Sequence, residues 1–237
     1  MDNTIRALEN KILLEIEKVI KMIINDNPKL HIQANSRVGA EISAFLEKQF
    51  VIRARDSKLL NNPEGAPDGA TKHPWDARVY FDDNKVCEEI WLDFKAFKTT
   101  SADSNPDIGT PDKVIKFIKE GNFYLCFVHV FYESAGKYIK FVKHNNKYAN
   151  LYFLKDISSS VRRNPKNQLQ VNISKPPTYR TREQFIFLLF EKIKESHQRQ
   201  IEISRKKLKK IWNLEKNTLA ANKKFEAILL NKIGKKK

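Results

Sequence analysis

Cysteine is nearly absent from this sequence, and its histidines do not cluster. The two cysteines, Cys87 and Cys126, lie in separate apolar segments. We therefore expect buried free thiols in a cytoplasmic protein, without a disulfide framework. The five histidines form no set with metal-ligand spacing. These absences argue against disulfide-rich secreted domains and against zinc modules.

Long apolar segments are also missing. The longest, residues 123–132, is too short to cross a bilayer as a helix. The first residues do not have the pattern of a signal peptide, and no internal repeat is evident. We expect a soluble cytoplasmic protein without membrane contact.

Acidic residues are outnumbered, with 28 Asp and Glu against 44 Lys and Arg, a formal net charge of +16. Residues 192–237 hold 15 of the basic and 4 of the acidic residues, so they carry +11 of that charge. A polyanion, nucleic acid above all, fits this balance, although an AT-rich genome also enriches Lys, Asn and Ile. We predict one domain over residues 1–200 and a basic amphipathic helical extension over residues 201–237.

The apolar periodicity predicts an α/β domain. We expect helices over residues 4–25, 38–51 and 110–119, and a long helix opened by a capping box at Thr181. A nearly continuous apolar segment, residues 123–133, predicts a central strand. Further strands are expected over residues 138–143, 148–154 and 169–173, the first two joined as a hairpin about Asn145 and Asn146. Residues 61–73 and 99–109 are predicted loops.

The most informative segment, residues 74–98, predicts a β-hairpin. If Asp83 and Asn84 are the central residues of a two-residue turn, Asp76 lies opposite Trp91 and diagonal to Asp93 on one face of the hairpin. Lys95 shares that face because side chains alternate along a strand. A register shift of one residue would move Asp76 to the other face.

Two carboxylates and a lysine on one sheet face suit hydrolysis of a phosphodiester with a divalent metal. Asp76 and Asp93 would hold Mg²⁺, which prefers oxygen ligands, and Lys95 would position water or stabilise developing negative charge. Glu41, on the predicted helix, could complete the ligand set. The alternative is a surface ion-pair cluster in which Arg78 and Lys95 neutralise Asp76, Glu89 and Asp93.

This arrangement resembles the PD-(D/E)xK nuclease superfamily, and within it the type II restriction endonucleases of the SwaI type. The resemblance covers roughly residues 1–200 and is carried by residues 37–41, 73–78, 90–98, 103–111, 120–125 and 177–183. One departure from the superfamily motif is that Trp75 separates Pro74 from Asp76. The metal needs only the carboxylate, so this departure should matter little.

The resemblance implies a fold, a reaction and partners. It implies a restriction-endonuclease-like core with a mixed central sheet between helices, and a homodimer that cuts double-stranded DNA. It makes Asp76, Asp93 and Glu41 the ligands of catalytic Mg²⁺ and Lys95 the catalytic lysine. The implied substrate is an AT-rich palindrome of about eight base pairs, and a cognate DNA methyltransferase is expected in the same system.

DNA contacts are expected from the polar loops that flank the core. Asn and Gln can pair with adenine, and Thr methyls can contact thymine, so we predict base contacts from Ser104, Asn105, Asn164, Asn167 and Gln170. The alternative for each of them is ordinary turn chemistry. The remaining predicted DNA contacts are mostly to phosphates, which position without specifying: Lys72, Arg78, Lys98, Arg162, Arg163, Lys166, Arg180 and Arg182. Tyr179 would stack on DNA or pack internally.

Three other interpretations stay open. The chain could be a DNA-binding protein without catalysis, or a repair nuclease directed by DNA structure on the same core. His144 followed by Asn145 and Asn146 also faintly matches an HNH nuclease, but this segment has the composition of a hairpin turn.

Overall fold

A computed structural model gives the structure and describes residues 2–32, 38–67, 75–101 and 104–234. Its helices and strands follow one another in chain order: α1 (Asp2–Asp26), β1 (Lys29–His31), α2 (Val38–Ala54), β2 (Leu60–Gly65), β3 (Ala77–Asp82), β4 (Cys87–Lys98), β5 (Asp107–Gly109), α3 (Pro111–Lys119), β6 (Leu125–Ala135), β7 (Tyr138–Phe141), β8 (Ala149–Phe153), β9 (Arg162–Arg163), β10 (Leu169–Gln170) and α4 (Arg182–Gly234).

The main sheet has seven strands and mixes parallel with antiparallel pairing. Its order is β1-β7-β6-β4-β3-β2, and β8 also pairs with β6. Strands β4 and β6 run parallel, whereas the other neighbours are antiparallel. The predicted α/β fold with a mixed central sheet, flanking helices and a long C-terminal helix is therefore confirmed.

The core lies where α1 and α2 pack on one face of this sheet. Both helices supply fully buried side chains, among them Ile16 and Phe50, to one cluster with Val79, Leu92 and Val128. The ring centroids of Phe50 and Phe94 are 5.7 Å apart. Strand β6 is buried along its first eight residues, which confirms the prediction that it is a central strand.

Three strand predictions need correction. Residues 60–65, predicted largely as loop, form the edge strand β2, which tolerates Pro63 because an edge needs fewer ladder hydrogen bonds. Strand β1 was not predicted at all. Strands β7 and β8 do not pair with each other as a hairpin, because each pairs with a different part of β6. Only the bridge between His144 and Lys147 remains of that prediction.

The turn between β3 and β4 also differs from prediction. Its central residues are Asn84 and Lys85 rather than Asp83 and Asn84, because Asp83 N donates to the Val86 carbonyl (3.3 Å). The Asp83 carboxylate also accepts hydrogen bonds from the backbone N–H groups of Lys85 and Val86, both 3.1 Å. Strand pairing consequently shifts by two residues, so Arg78, rather than Asp76, lies opposite Trp91. A shift of two preserves the face of every side chain, and Asp76 therefore still shares a face with Asp93.

A second, smaller sheet lies outside the main one. Its order is β5-β10-β9, with both pairings antiparallel. Leu169 and Ile108 are buried beneath it. This sheet contains part of the segment 169–173 predicted as a strand, and it brings β5 together with two strands that lie some sixty residues later in the chain.

Threonine side chains cap the N-termini of α3 and α4, and the cap at Thr181 is the predicted one. The Thr110 hydroxyl accepts a hydrogen bond from Lys113 N (3.3 Å) at the start of α3. At α4, Gln184 N donates to the Thr181 hydroxyl (3.1 Å) while Thr181 N donates to the Gln184 side chain (3.0 Å). Such reciprocal bonds satisfy backbone groups that the helix leaves unpaired.

The chain forms two compact units, residues 1–189 and 190–237. The first contains both sheets and the start of α4, and the second consists of the rest of α4. The predicted basic extension, residues 201–237, lies within the second unit, and its boundary at residue 201 remains a prediction. Among the described residues, no helix is both long and apolar enough to cross a membrane.

A buried ionic network ties α1 to the segment before α4. Lys155, 1 % exposed, places its ammonium 2.9 Å from a Glu9 carboxylate oxygen, 2.8 Å from Asp156 Oδ1 and 2.8 Å from the Arg180 carbonyl oxygen. Burial raises the pKa of Glu9 and of Asp156, and Lys155 opposes both shifts. This network fixes the chain on either side of Tyr179.

Candidate active site

The candidate active site is built on neighbouring ends of β3 and β4. Asp76 directly precedes β3, and its backbone N–H donates to the Leu92 carbonyl (2.8 Å). This bond holds Asp76 beside the pair formed by Ala77 and Leu92, and Asp93 directly follows Leu92 on β4.

The Asp76 carboxylate is held by the neighbouring strand. Its Oδ2 accepts a hydrogen bond from the backbone N–H of Phe94 (2.7 Å). Burial raises the pKa of Asp76, and the negative charge of Asp93 raises it further, although the Phe94 N–H, Lys95 and Lys113 pull the other way. A carboxyl whose pKa is raised by burial and a like charge gains from a nearby cation.

Lys95 is paired with the second carboxylate. Its ammonium lies 2.6 Å from Asp93 Oδ1, and both side chains are partly exposed. Burial lowers the pKa of Lys95, but the charges of Asp93, Asp76 and Asp107 together raise it above its ordinary value. Lys95 is therefore a cation at neutral pH.

Aromatic side chains surround a neutral histidine beside Lys95. His129 lies next to Lys95 in the parallel pairing of β4 with β6 and is 1 % exposed. Burial and the charge of Lys95 lower its pKa to about 3. The ring packs edge-on against Phe97 and Tyr152, with centroids 5.0 and 5.2 Å away. Neutral His129 adds no second positive charge beside Lys95.

A groove of about 460 Å³ runs from α2 to this site. Its lining includes Asp76, Lys95 and, from α2, Ser43 and Glu47. Gly39 permits the close approach of α2, since a Cβ there would lie 3.1 Å from the Ala96 carbonyl oxygen. The groove thus places a helix carboxylate on the same surface as the strand residues.

That helix carboxylate is not the predicted Glu41. Glu41 is exposed and is not part of the groove lining, because it lies six residues from Glu47 and therefore about 120° away around the helix. Among the described residues, no three His, Cys, Asp or Glu side chains come together as a metal site. Glu41 therefore does not join Asp76 and Lys95 in the groove lining, and its role as a metal ligand remains a prediction.

Comparison with known families identifies the chain. The model of the SwaI restriction endonuclease family, described as SwaI-like, matches residues 4–211. The chain belongs to the SwaI-like restriction endonuclease family. No curated protein matches it significantly. The matched span includes the whole β3–β4 site, so membership implies nuclease activity on DNA and confirms the resemblance to restriction endonucleases of the SwaI type.

Several predicted DNA contacts of this SwaI-like enzyme lie on or beside the small sheet. Arg162 and Lys166 are exposed. The Arg163 guanidinium donates to Asn167 Oδ1 (2.5 Å), while Asn164 and Gln170 both donate to Asp107. Residues 162–170 lie on β9, β10 and the turn between them, and their contact with DNA remains a prediction.

Other predicted contacts take part in internal interactions. Arg78 is ion-paired with Glu64 (2.7 Å) and Glu89 (3.2 Å). The pair with Glu89 is one that the alternative interpretation, a surface ion-pair cluster, predicts. Lys98 is exposed at the end of β4, whereas Ser104 and Asn105 are half-buried. Lys72, His73 and Pro74 lie outside the described residues.

The predicted contacts before α4 belong to the buried network instead. Arg180 is 8 % exposed, and its guanidinium donates to the Ile157 and Thr178 carbonyls and to the Ser159 hydroxyl. Tyr179 packs between cations, with the Lys155 ammonium 4.1 Å from its ring centroid. The Arg182 guanidinium lies over Phe123 (4.7 Å). We therefore withdraw Arg180 as a phosphate contact.

Sequence reasoning missed Glu47, His129 and Asp107 near the site. Glu47 could have been found, because residues 40, 43, 44 and 47 follow one helix face toward the groove. His129 could not have been found, because a single histidine within an apolar strand has no pattern that indicates a functional site. Asp107 depends on the small sheet, whose pairing no local pattern predicts.

Proposed function

We propose that this SwaI-like enzyme makes sequence-specific double-strand breaks in DNA by Mg²⁺-dependent hydrolysis, using a PD-(D/E)xK site formed by Asp76, Asp93 and Lys95. The observation that carries the proposal is the convergence of these three residues on adjoining strands. Asp76 is fixed by the Phe94 N–H at 2.7 Å, and Lys95 is paired with Asp93 at 2.6 Å.

The donor set fits a hard divalent cation. The described part of the chain offers two aspartate carboxylates on one face, and Asp93 Oδ1 is buried without a hydrogen bond although it is ion-paired with Lys95. Mg²⁺ is commonly held by one or two carboxylates, with water and substrate phosphate completing its octahedron. Asp76 and Asp93 would hold it. When bound, Mg²⁺ supplies Lewis acidity toward the phosphate and toward water.

Three further groups of the chain would have separate roles in the reaction. Lys95 is a cation at neutral pH, so it stabilises negative charge that develops on the phosphate rather than serving as a general base. The Phe94 N–H holds Asp76 in place. Glu47 lines the groove beside Asp76 and Lys95, and we propose it, in place of Glu41, as the helix carboxylate of the site.

A homodimer accounts for both strands of the duplex. A palindromic DNA site has two-fold symmetry, and two copies of the chain related by the same symmetry place one active site on each strand. We propose an AT-rich palindrome of about eight base pairs as the substrate. A cognate methyltransferase would protect that sequence in the host. The apolar residues Leu208, Ile211, Trp212 and Leu219, all 47–62 % exposed, are candidates for pairing between the two copies.

Sequencing of DNA ends tests this function. Purified protein is incubated with long genomic DNA in Mg²⁺, and again with a chelator, and all new termini are sequenced. We expect identical termini at one short palindrome in Mg²⁺ and none with the chelator. The Lys95→Ala variant serves as the inactive control.

Other outcomes would identify other functions. Termini without a shared sequence would indicate a repair nuclease directed by DNA structure. An absence of termini with Mg²⁺ or Mn²⁺, together with retained DNA binding, would indicate a binding protein. Cutting that persists in the chelator would refute the metal requirement.

A further inference from the structure

The outward face of the small sheet presents one ordered row of polar side chains. Asp107 of β5 pairs with Gln170 of β10, and Gln170 pairs with Arg162 of β9. Directly paired residues share a face and lie about 5 Å apart. Arg162 and Asp107 are exposed and Gln170 is half-buried, while Leu169 is buried on the opposite face.

Asp107 fixes the orientation of the Gln170 amide. Gln170 Nε2 donates to Asp107 Oδ1 across 2.8 Å. A carboxylate oxygen only accepts, so the NH₂ end of the amide must face Asp107. Among the described residues, no other hydrogen bond holds the Gln170 side chain. Its carbonyl oxygen and second N–H therefore remain available with a fixed orientation.

Asn164, in contrast, has its amide oxygen fully occupied by the turn between β9 and β10. Its Oδ1 accepts from Lys166 N (2.9 Å) and Gln168 N (3.0 Å), and its Nδ2 donates to Asp107 (3.3 Å). This is the ordinary turn chemistry of asparagine. Of the two amides that meet at Asp107, only Gln170 therefore keeps the unoccupied oxygen that a paired contact with adenine requires.

This row lies near the catalytic face. Ile173, three residues beyond Gln170, is buried in one cluster with Phe97, which lies two residues beyond Lys95 on β4. The pairing of β5 with β10 also contains an irregularity at Leu169 and Gln170, and bulges of this kind often redirect side chains next to active sites.

We propose that the outward face of the small sheet enters the major groove and that Gln170, oriented by Asp107, reads an adenine; this inference rests on the proposed function. A two-stranded β-ribbon fits the major groove, and a glutamine amide pairs with adenine by donating to N7 and accepting from the N6 amino group. Arg162, beside Gln170, contacts the DNA backbone or an adjoining base edge.

A binding selection tests this inference separately from catalysis. DNA of random sequence is bound without Mg²⁺ by the Lys95→Ala chain, whose cleavage is strongly reduced under the proposed function, and by the same chain carrying Gln170→Ala. We expect the second chain to lose its preference for adenine at one position and at the two-fold related position by about 10- to 100-fold, with other positions unchanged. Gln49→Ala, which removes a half-buried glutamine from α2, is the matched control and should select the original sequences.

The conservative change at Asp107 tests its positioning role. Asp107→Asn retains an oxygen that can accept from Gln170 and should keep most of the adenine preference, whereas Asp107→Leu should lose it as Gln170→Ala does. Circular dichroism of each variant checks that the fold is retained, and Gln170→Asn, which keeps the amide but shortens its reach, should lose the preference in a folded chain.

The outcomes separate this inference from the proposed function. Unchanged base preference at every position in folded Gln170→Ala would overturn the role of Gln170, as would the absence of any preference in the starting chain. Another outcome is that the chain without substitutions selects a DNA site whose adenine preference is lost in Gln170→Ala and yet never cleaves that site. This result would support base recognition by Gln170 and refute the nuclease function.

Discussion

The two active-site aspartates should respond to the same substitution with opposite changes in stability. Asp76→Asn removes a negative charge that burial and Asp93 disfavour, while its amide oxygen can still accept from the Phe94 N–H. When a functional residue lowers the stability of the folded state, replacing it commonly raises the free energy of unfolding by about 0.5–2 kcal/mol. Asp93→Asn instead deprives Lys95 of its partner at 2.6 Å, and we expect a loss of about 1 kcal/mol.

The gain from Asp76→Asn should depend on pH in one direction. The folded chain holds the Asp76 proton more tightly than the unfolded chain, because the folded pKa is raised. At a pH below the ordinary pKa of aspartate, Asp76 is protonated in both states and the variant gains nothing. The gain appears as the pH rises through that value and is complete above the folded pKa.

Urea unfolding at pH 7 and at acid pH measures both effects. The free energy of unfolding is compared for the original chain, Asp76→Asn and Asp93→Asn, and cleavage is measured in parallel. Both variants should lose cleavage. An Asp76→Asn variant that is less stable than the original at pH 7, or a gain that grows as the pH falls, would refute the like-charge account of the site.

The remaining predictions concern residues outside the catalytic cluster. Lys155→Met should lower the free energy of unfolding in urea by about 3–5 kcal/mol, because Glu9 and Asp156 then lack their buried cation, and adding Glu9→Gln should recover part of this loss; an unchanged stability would contradict the network. Thr181→Ala should cost about 1 kcal/mol in thermal unfolding by removing the α4 cap, with no effect expected on DNA affinity. Lys98→Ala should reduce the slope of log binding constant against log salt by about one if Lys98 contacts a phosphate, whereas Arg180→Ala should destabilise the fold without changing that slope.

The sequence predicts the parts of this fold that local physics decides. Helix α3 and the start of α4 follow from Thr110 and Thr181, whose side chains cap the helices. Strand β6 follows from an apolar segment too short for a membrane and suited to a sheet interior. The faces of β3 and β4 follow from the two-residue period, which survives the shift of two residues in their turn.

What the sequence does not predict depends on distant partners. The edge strand β2 exists because β3 supplies its hydrogen bonds, and its composition alone resembles a loop. The withdrawn phosphate contact Arg180 has the chemistry of a surface residue, but carbonyl groups brought by the fold surround it. Glu41 and Glu47 are equally acidic, and only the packing of α2 on β4 decides which of them faces the groove.

The cleavage activity of Lys95→Ala, beside that of Lys98→Ala, tests the central claim most directly. Both changes remove one lysine from β4, but only Lys95 pairs with Asp93. With Mg²⁺ and DNA carrying the preferred site, we predict that Lys95→Ala lowers the cleavage rate by about 100- to 1000-fold with little change in DNA affinity, and that Lys98→Ala retains cleavage at saturating protein. Cleavage by folded Lys95→Ala at the original rate would contradict the assignment of the active site.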